Sequence, residues 1–174
     1  VERGKIVGVN YVNEKVYSLD AYRDYLLRKA DLQLQTNKLD FANVKLLTTP
    51  IVTYQVGGLA ALNDRRLGGL HFRFNWLGFQ GEDFICEIQF PKNETIQQVK
   101  MNFLTDVVSW VFFPQKVTLY GSKDGKKYEK IDEMKPEISG PEWRIATIPV
   151  NLQAGGTEWK SLKVHAESIR ICPD

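Results

Sequence analysis

From Asp83 onward, apolar and polar residues trade places at almost every step. Phe84, Cys86, Ile88 and Phe90 form one apolar set, Val99, Met101 and Phe103 a second, and Val117 and Leu119 a third, with polar residues between them. A period of two marks strands that bury one face and wet the other. Further strands are predicted over 143–150 and 162–167. The breaks read "PKNET", "TDVVS", "SKDGKK" and "KPEISGPE", rich in residues that turns require. "PKNET" reads as a hairpin loop, and Asp124-Gly125 as a tight turn between strands at 117–120 and 128–131. The apolar phase slips from Leu162, Val164 and Ala166 to Ile169 and Ile171, which places a bulge or a new segment near Ser168.

The first 36 residues have a different character. In "SLDAYRDYLLRKAD", Ser18 can cap a helix whose first turn carries Asp20, and Leu19, Tyr22, Leu26 and Ala30 recur on one face. One helix over 19–30 is predicted. Short strands at regular intervals with almost no helix after residue 31 read as an all-β sandwich or barrel. The division is therefore an N-terminal extension, 1–36, serving as a linker or the remnant of a preceding module, and a β-sandwich, 37–174.

Composition narrows the function. A chain of 174 residues holds one ordinary domain and a small appendage. Lysine and arginine total 23 against 21 acids, scattered along the chain, so no basic stripe predicts a nucleic-acid partner. No apolar run approaches the roughly 20 residues of a membrane span, so no membrane insertion is expected. Residues 1–10 lack the apolar centre of a secretory signal, although a leader removed before Val1 fits the absence of an initial Met. Cys86 and Cys172 are expected as buried free thiols. There is no CxxC or HxH spacing for zinc, and two histidines cannot build a histidine-rich metal site. Nucleophile elbows, HExxH, Walker and GxGxxG motifs are absent, and the neighbours Glu82 and Asp83 point to opposite sides of a strand. They read as turn residues, and the domain reads as non-catalytic.

Aromatics gather where strands begin. Phe72, Phe74, Trp76 and Phe79 precede one strand, and Trp110, Phe112 and Phe113 precede another. Rings on loops at one end of a sandwich can stack on a sugar's apolar face while nearby polar groups bond its hydroxyls. His71, Arg73, Asn75 and Trp76 supply such a set within six residues. The plainer reading makes most of these rings plugs for the end of the core, and it is the commoner fate of any single ring. Phe112 and Phe113 alternate, so one of them is expected to face inward. Asn93-Glu94-Thr95 matches the N-glycan acceptor triplet, a match that most often marks an incidental turn.

Taken together, "ALNDRRLGGLHFRFNWLGFQGEDFICEIQF" and "VKMNFLTDVVSWVFFPQKVTLYGSKDGKKYEKI" resemble the discoidin-like (coagulation factor 5/8 type C) galactose-binding-fold modules. The nearest subgroup is the one related to family 32 carbohydrate-binding modules and found C-terminal in bacterial family 20 hexosaminidases. Trp76, Gly78, Phe79, Gly81 and Asp83 match its Trp-x-Gly-Phe-x-Gly-x-Asp motif, and Ser109, Trp110, Phe112 and Pro114 its Ser-Trp-x-Phe-x-Pro motif. The resemblance covers roughly 36–174. It implies an eight-stranded jelly-roll β-sandwich with the Trp110 loop at the end where family members bind sugar. It also implies a secreted, periplasmic or cell-surface bacterial protein, whose likeness to hexosaminidase modules includes the linking strand "NKLDFANVKLL".

Two departures bear on cofactors. Family members commonly hold a structural calcium with a Thr-Asp-Gly loop, and here that loop reads Asn63-Asp64-Arg65. Asp64 is the candidate ligand, but Arg65 in place of Gly crowds the backbone carbonyls a hard cation would need. "HAESIRICPD" resembles the segment that precedes a closing strand with an Asp-Glu pair, and the sequence ends at Asp174 before that strand.

The resulting expectation is a non-catalytic, monomeric module binding terminal sugars of the galactose or N-acetylhexosamine class and targeting a glycosidase or cell-surface protein to its substrate. Trp76, Trp110 or Phe112 would stack, and His71, Arg73 and Asn75 would make polar contacts. A monosaccharide buries little area, so affinity would lie at roughly 0.1–1 mM. The alternative is a structural or protein-interaction module packed against a catalytic glycosidase domain, with its aromatics in core or interface. A glycosidase activity of the chain itself is disfavoured, since no catalytic carboxylate pair can be placed.

Overall fold

The computed structural model describes residues 37–55, 58–64, 68–72, 75–137 and 145–169, together with the backbone of 6–10 and 15–18. In the N-terminal extension, β1 (Ile6–Asn10) and β2 (Lys15–Ser18) form an antiparallel pair that the hydropathy pattern did not single out. The helix predicted over 19–30 lies outside the described residues.

The main sheet contains β3 (Asn43–Leu46), β4 (Phe84–Asp106), β5 (Lys116–Ser122), β6 (Glu129–Met134) and β7 (Ile145–Glu167), in the order β3-β4-β7-β5-β6. Every pairing is antiparallel. The alternation around Phe84, Cys86, Ile88 and Phe90 is real: all four are buried, and they pack with Val117, Leu119, Leu162 and Val164.

The structure corrects the pattern reading at "PKNET". No hairpin forms there, because β4 runs straight through, 23 residues long, and pairs along its length with an equally long β7. Likewise, the strands expected at 143–150 and 162–167 belong to one element from Ile145 onward. What "PKNET" marks is a slip in register. Gln89 pairs with Ser161 but Glu94 with Trp159, so several β4 residues face a single one of β7. Pro91, which has no N–H to give a ladder, sits in this bulge. A second slip follows, where Ile96 pairs with Thr157 but Gln98 with Gln153. Gly155 and Gly156 allow it by taking φ of 72° and 65°.

These bulges let one ladder line both sides of one core. Ile96, Val150, Leu152 and Ala154, beyond the bends, join the same buried cluster as Phe84 and Leu119. Groups released from the ladder are recaptured. The Trp159 indole N–H donates to the Ala154 carbonyl at 3.3 Å, and the Gln153 N–H donates to the Asp132 carboxylate of β6 at 2.7 Å. Trp159 lies across Gly121, where any Cβ would meet its ring at 2.6 Å. Instead of eight separate strands, the described sandwich uses five, two of which bend to serve both layers.

Cys86 is a free, buried thiol, and burial pushes its pKa up to about 12. Cys172 lies outside the described residues.

The expected turn at Asp124-Gly125 joins β5 to β6. The Asp124 carboxylate accepts the N–H groups of Lys127 at 2.9 Å and Lys126 at 2.8 Å and the Ser122 hydroxyl at 3.0 Å, which pulls its pKa down to about 2. A pKa depressed by folding stabilises the native state above the unfolded value and loses that contribution as pH falls through the folded one. The melting-temperature gap between the parent and Asp124→Ala, followed by circular dichroism, should hold from neutral pH down to about 4 and close towards about pH 2.

Candidate functional site

One end of the sandwich gathers the loops that carry the aromatics. Phe84 at the start of β4 and Val117 near the start of β5 both face Ala166 near the end of β7. The segment leading into β4, the segment leading into β5 and the chain leaving β7 therefore meet at this end. Gln115 fastens two of them, its N–H donating to the Glu167 carbonyl at 2.9 Å and its side-chain amide to the Ser168 carbonyl at 2.8 Å.

Asp83 fastens the third. Its carboxylate lies 2.8 Å from His165 Nε2 and accepts the Ser168 N–H at 3.0 Å, while the Ser168 hydroxyl donates to the Glu82 carbonyl at 2.5 Å. The Asp of the Trp-x-Gly-Phe-x-Gly-x-Asp motif thus clamps the start of β4 to the end of β7. This matches the reading of Glu82 and Asp83 as turn residues.

The loop before β4 is closely knit. Trp76 donates its indole N–H to the Gly69 carbonyl at 2.8 Å, and its ring covers Gly68 so closely that a Cβ there would sit 2.1 Å from it. Gly78 packs under Tyr54 in the same way, and its N–H donates to the Tyr54 carbonyl at 2.8 Å. Phe72 meets Tyr54 edge-on at 5.4 Å, and His71 stacks on Phe72 at 4.9 Å. Asn75 adopts φ 55°, a conformation Asn tolerates, and donates its amide to Asp64 Oδ1 at 3.3 Å. His71, Asn75 and Trp76 are all half-buried, and Arg73 lies outside the described residues.

The loop before β5 is built differently. Asp106 and Val111 bond each other's backbones, N–H to carbonyl, at 2.8 and 2.9 Å, closing a tight loop. Inside it, the buried Asp106 carboxylate caps a short 3-10 turn over Val107–Ser109 by accepting the Ser109 N–H at 3.3 Å. The Thr105 hydroxyl adds a bond to the Val111 carbonyl at 3.3 Å. Trp110 follows this turn in the left-handed conformation, φ 58° and ψ 34°. That backbone costs a residue with a Cβ roughly 1–2 kcal/mol.

Trp110 is nonetheless 74% exposed and Val108 76%. The indole meets Phe112 edge-on at 6.3 Å, with ring planes 89° apart. The pairing forms a corner, with Trp110 as the open face and the half-buried Phe112 as its wall. Phe113 is also half-buried, so neither phenylalanine is fully internal as the alternation had suggested. The sequence does contain the signal for this loop, an Asp three residues before a Ser ahead of an aromatic run. It fixes a turn, but only coordinates reveal that the tryptophan after it points to water.

Asp64, the candidate calcium ligand, has its N–H on the Ala60 carbonyl at 2.8 Å and its carboxylate on Asn75. Among the described residues no three His, Cys, Asp or Glu side chains come together in a metal-holding group.

A bent antiparallel ladder around one core, with its loops gathered at one end, is the discoidin-like jelly-roll β-sandwich. Solved structures agree. The chain superposes on the carbohydrate-binding module CpGH89CBM32-4 of Clostridium perfringens, solved with GlcNAc-alpha-1,4-galactose, with TM-score 0.51 and 11% identity over 79% of this chain and 82% of that one. It also superposes on a Bacteroides thetaiotaomicron protein assigned as an alpha-L-fucosidase, with TM-score 0.51 and 18% identity over 91% of this chain. It spans 31% of that protein's length. No protein-family model matches the sequence, and no curated protein matches it.

Proposed function

We propose that this domain is a non-catalytic carbohydrate-binding module that recognises a terminal sugar of the galactose or N-acetylhexosamine class. The observation that carries the reading is Trp110. A large apolar ring is held in a costly backbone conformation, on a loop fixed by five hydrogen bonds, and is then left in water. Burying such a ring would gain a few kcal/mol, so neither packing nor stability accounts for its placement. An unstrained alternative would serve a purely structural loop better, and strain of this kind points to function.

A sugar's apolar face fits an exposed indole, with Phe112 as a side wall. His71 and Asn75, at the same end of the sandwich, are the candidate hydroxyl partners, together with Arg73. Trp76 contributes by holding its loop in place. The sugar bound by the Clostridium module of the same fold supports the ligand class. In this reading the module is a monomer acting outside the cytoplasm, and it brings an attached glycosidase or a cell surface to its glycan. Contact through two modules or two sugars would offset the weak single-site affinity. Calcium at Asp64 would belong to scaffolding and not to sugar contact.

A second reading, a module that docks on a catalytic domain, draws on Phe41 and Val52, 70% and 84% exposed. A glycan array probed with and without a chelator separates the two. Binding to terminal galactose or N-acetylhexosamine glycans is expected. A blank array at high protein density favours docking.

A further inference from the structure

The opposite end of the sandwich carries chemistry that sugar stacking leaves unused. β5 runs seven residues away from the Trp110 end, roughly 20 Å at strand rise. There the β5–β6 turn brings Lys123, Lys126 and Lys127 next to the β4 bulge with Lys92 and to Lys160 of β7. The three segments are joined. The Lys160 ammonium donates to the Pro91 carbonyl at 2.8 Å, and its stem would touch a Cβ on Gly125 at 3.7 Å. The Lys123 ammonium stands 5.9 Å from the centre of the Trp159 ring.

The acids among them are Asp124, Glu94, Glu129 and Glu158. Asp124 is occupied by the turn's own N–H groups, and Glu94 is held by Lys38 at 2.6 Å, with Lys92 at 4.0 Å. Glu129 lines a shallow recess with Lys123, Lys127 and Tyr128. Glu158 pairs across the ladder with Thr95. Lys123, Lys126 and Lys127 are exposed, and the Lys92 side chain is 81% exposed. Asp124, Glu129 and Glu158 are exposed as well, and counting Lys38 on Glu94 the face carries six lysines against four acids, a net positive charge.

We propose that this end is a docking face for an acidic polysaccharide, a chain bearing sulfate or carboxylate groups, independent of the site at Trp110. Charge complementarity selects an anionic partner. A bilayer is disfavoured because none of the exposed large hydrophobic residues lies in the β4 bulge, the β5–β6 turn or residues 158–160, which leaves nothing to enter the acyl region. Single-stranded nucleic acid is disfavoured because the rings here are not open for stacking. Trp159 is buried, and the Tyr128 ring lies 4.5 Å under the Lys163 ammonium with its hydroxyl on Glu87 and Ser161. Lysine point charges suit a flexible polymer whose anionic groups need no fixed bidentate geometry.

The test is titration of the whole chain with heparin by calorimetry at low salt. The parent should bind, and binding should disappear as salt rises to about 0.5 M and shortens the screening length to a few ångströms. Lys126→Glu with Lys127→Glu should weaken it by roughly fivefold or more. The charge-matched pair Lys100→Glu with Lys135→Glu, exposed on β4 and just past the end of β6, should leave it within about twofold. Trp110→Ala should leave it unchanged, so failure here is distinct from failure of the sugar site. Equal losses in both lysine pairs, loss in Trp110→Ala, no heparin binding, or equally tight binding to duplex DNA or phosphatidylserine vesicles would overturn the proposal.

Discussion

Trp110→Ala is expected to reduce glycan binding at least about tenfold, a loss of roughly 1.4 kcal/mol from a weak complex, while the fold stays intact. The ring makes one edge contact with Phe112 and otherwise faces water, so truncation removes little packing. The loop's closure rests on Thr105, Asp106, Ser109 and the Val111 backbone, none of which is altered. Thermal melts should therefore agree within about 2 °C, since surface changes of this kind stay within about 0.5 kcal/mol. Trp110→Gly sharpens the point. Glycine takes a positive φ without penalty, so this variant should be as stable as the parent or more so and yet fail to bind. If Trp110→Ala unfolds the domain, the residue belongs to the scaffold and the site has been misplaced.

The other tryptophan of the two motifs should behave in the opposite way. Trp76→Ala removes a ring pressed onto Gly68 and leaves the Gly69 carbonyl without its indole donor. Because the residue is half-buried, a loss of about 2–3 kcal/mol is expected, or a melting temperature roughly 5–10 °C lower. Binding would weaken only as far as the loop holding His71 and Asn75 loosens. A variant that melts like the parent and has lost binding would make Trp76 a direct sugar contact instead.

How much of this was legible in the sequence varies with the physics behind each feature. The period of two identified the faces of β4 and β5, because burial alone decides which of alternate residues points inward. The Asp124-Gly125 turn was legible for a similar reason, since a short Asx-type turn is local chemistry. The Pro91–Asn93 bulge was not. A polar corner containing proline looks the same whether the chain reverses or bends and continues, and only the partner strand distinguishes the two. The partner is β7, where Lys160 alone, between Trp159 and Ser161, stands opposite the bulge some 70 residues away.

The candidate site divides the same way. The aromatic clusters before β4 and β5 were visible as composition, and topology brought both segments to one end. Which rings are covered was not visible. Trp76 and Trp110 sit in comparable motifs, and their difference comes from Gly68 beneath one and an Asp106-closed loop beneath the other.

In the proposed site the Trp110 indole is the surface a sugar stacks on. The most direct measurement is a two-dimensional NMR titration of the labelled chain with N-acetylgalactosamine and galactose, following the indole N–H signals of the four tryptophans. A saturable shift of the Trp110 signal is expected, with a dissociation constant of roughly 0.1–1 mM for at least one of the two sugars and the buried Trp159 unmoved. A Trp110 signal that stays put at sugar concentrations of about 50 mM, well past that range, or shifts confined to other tryptophans, would contradict it.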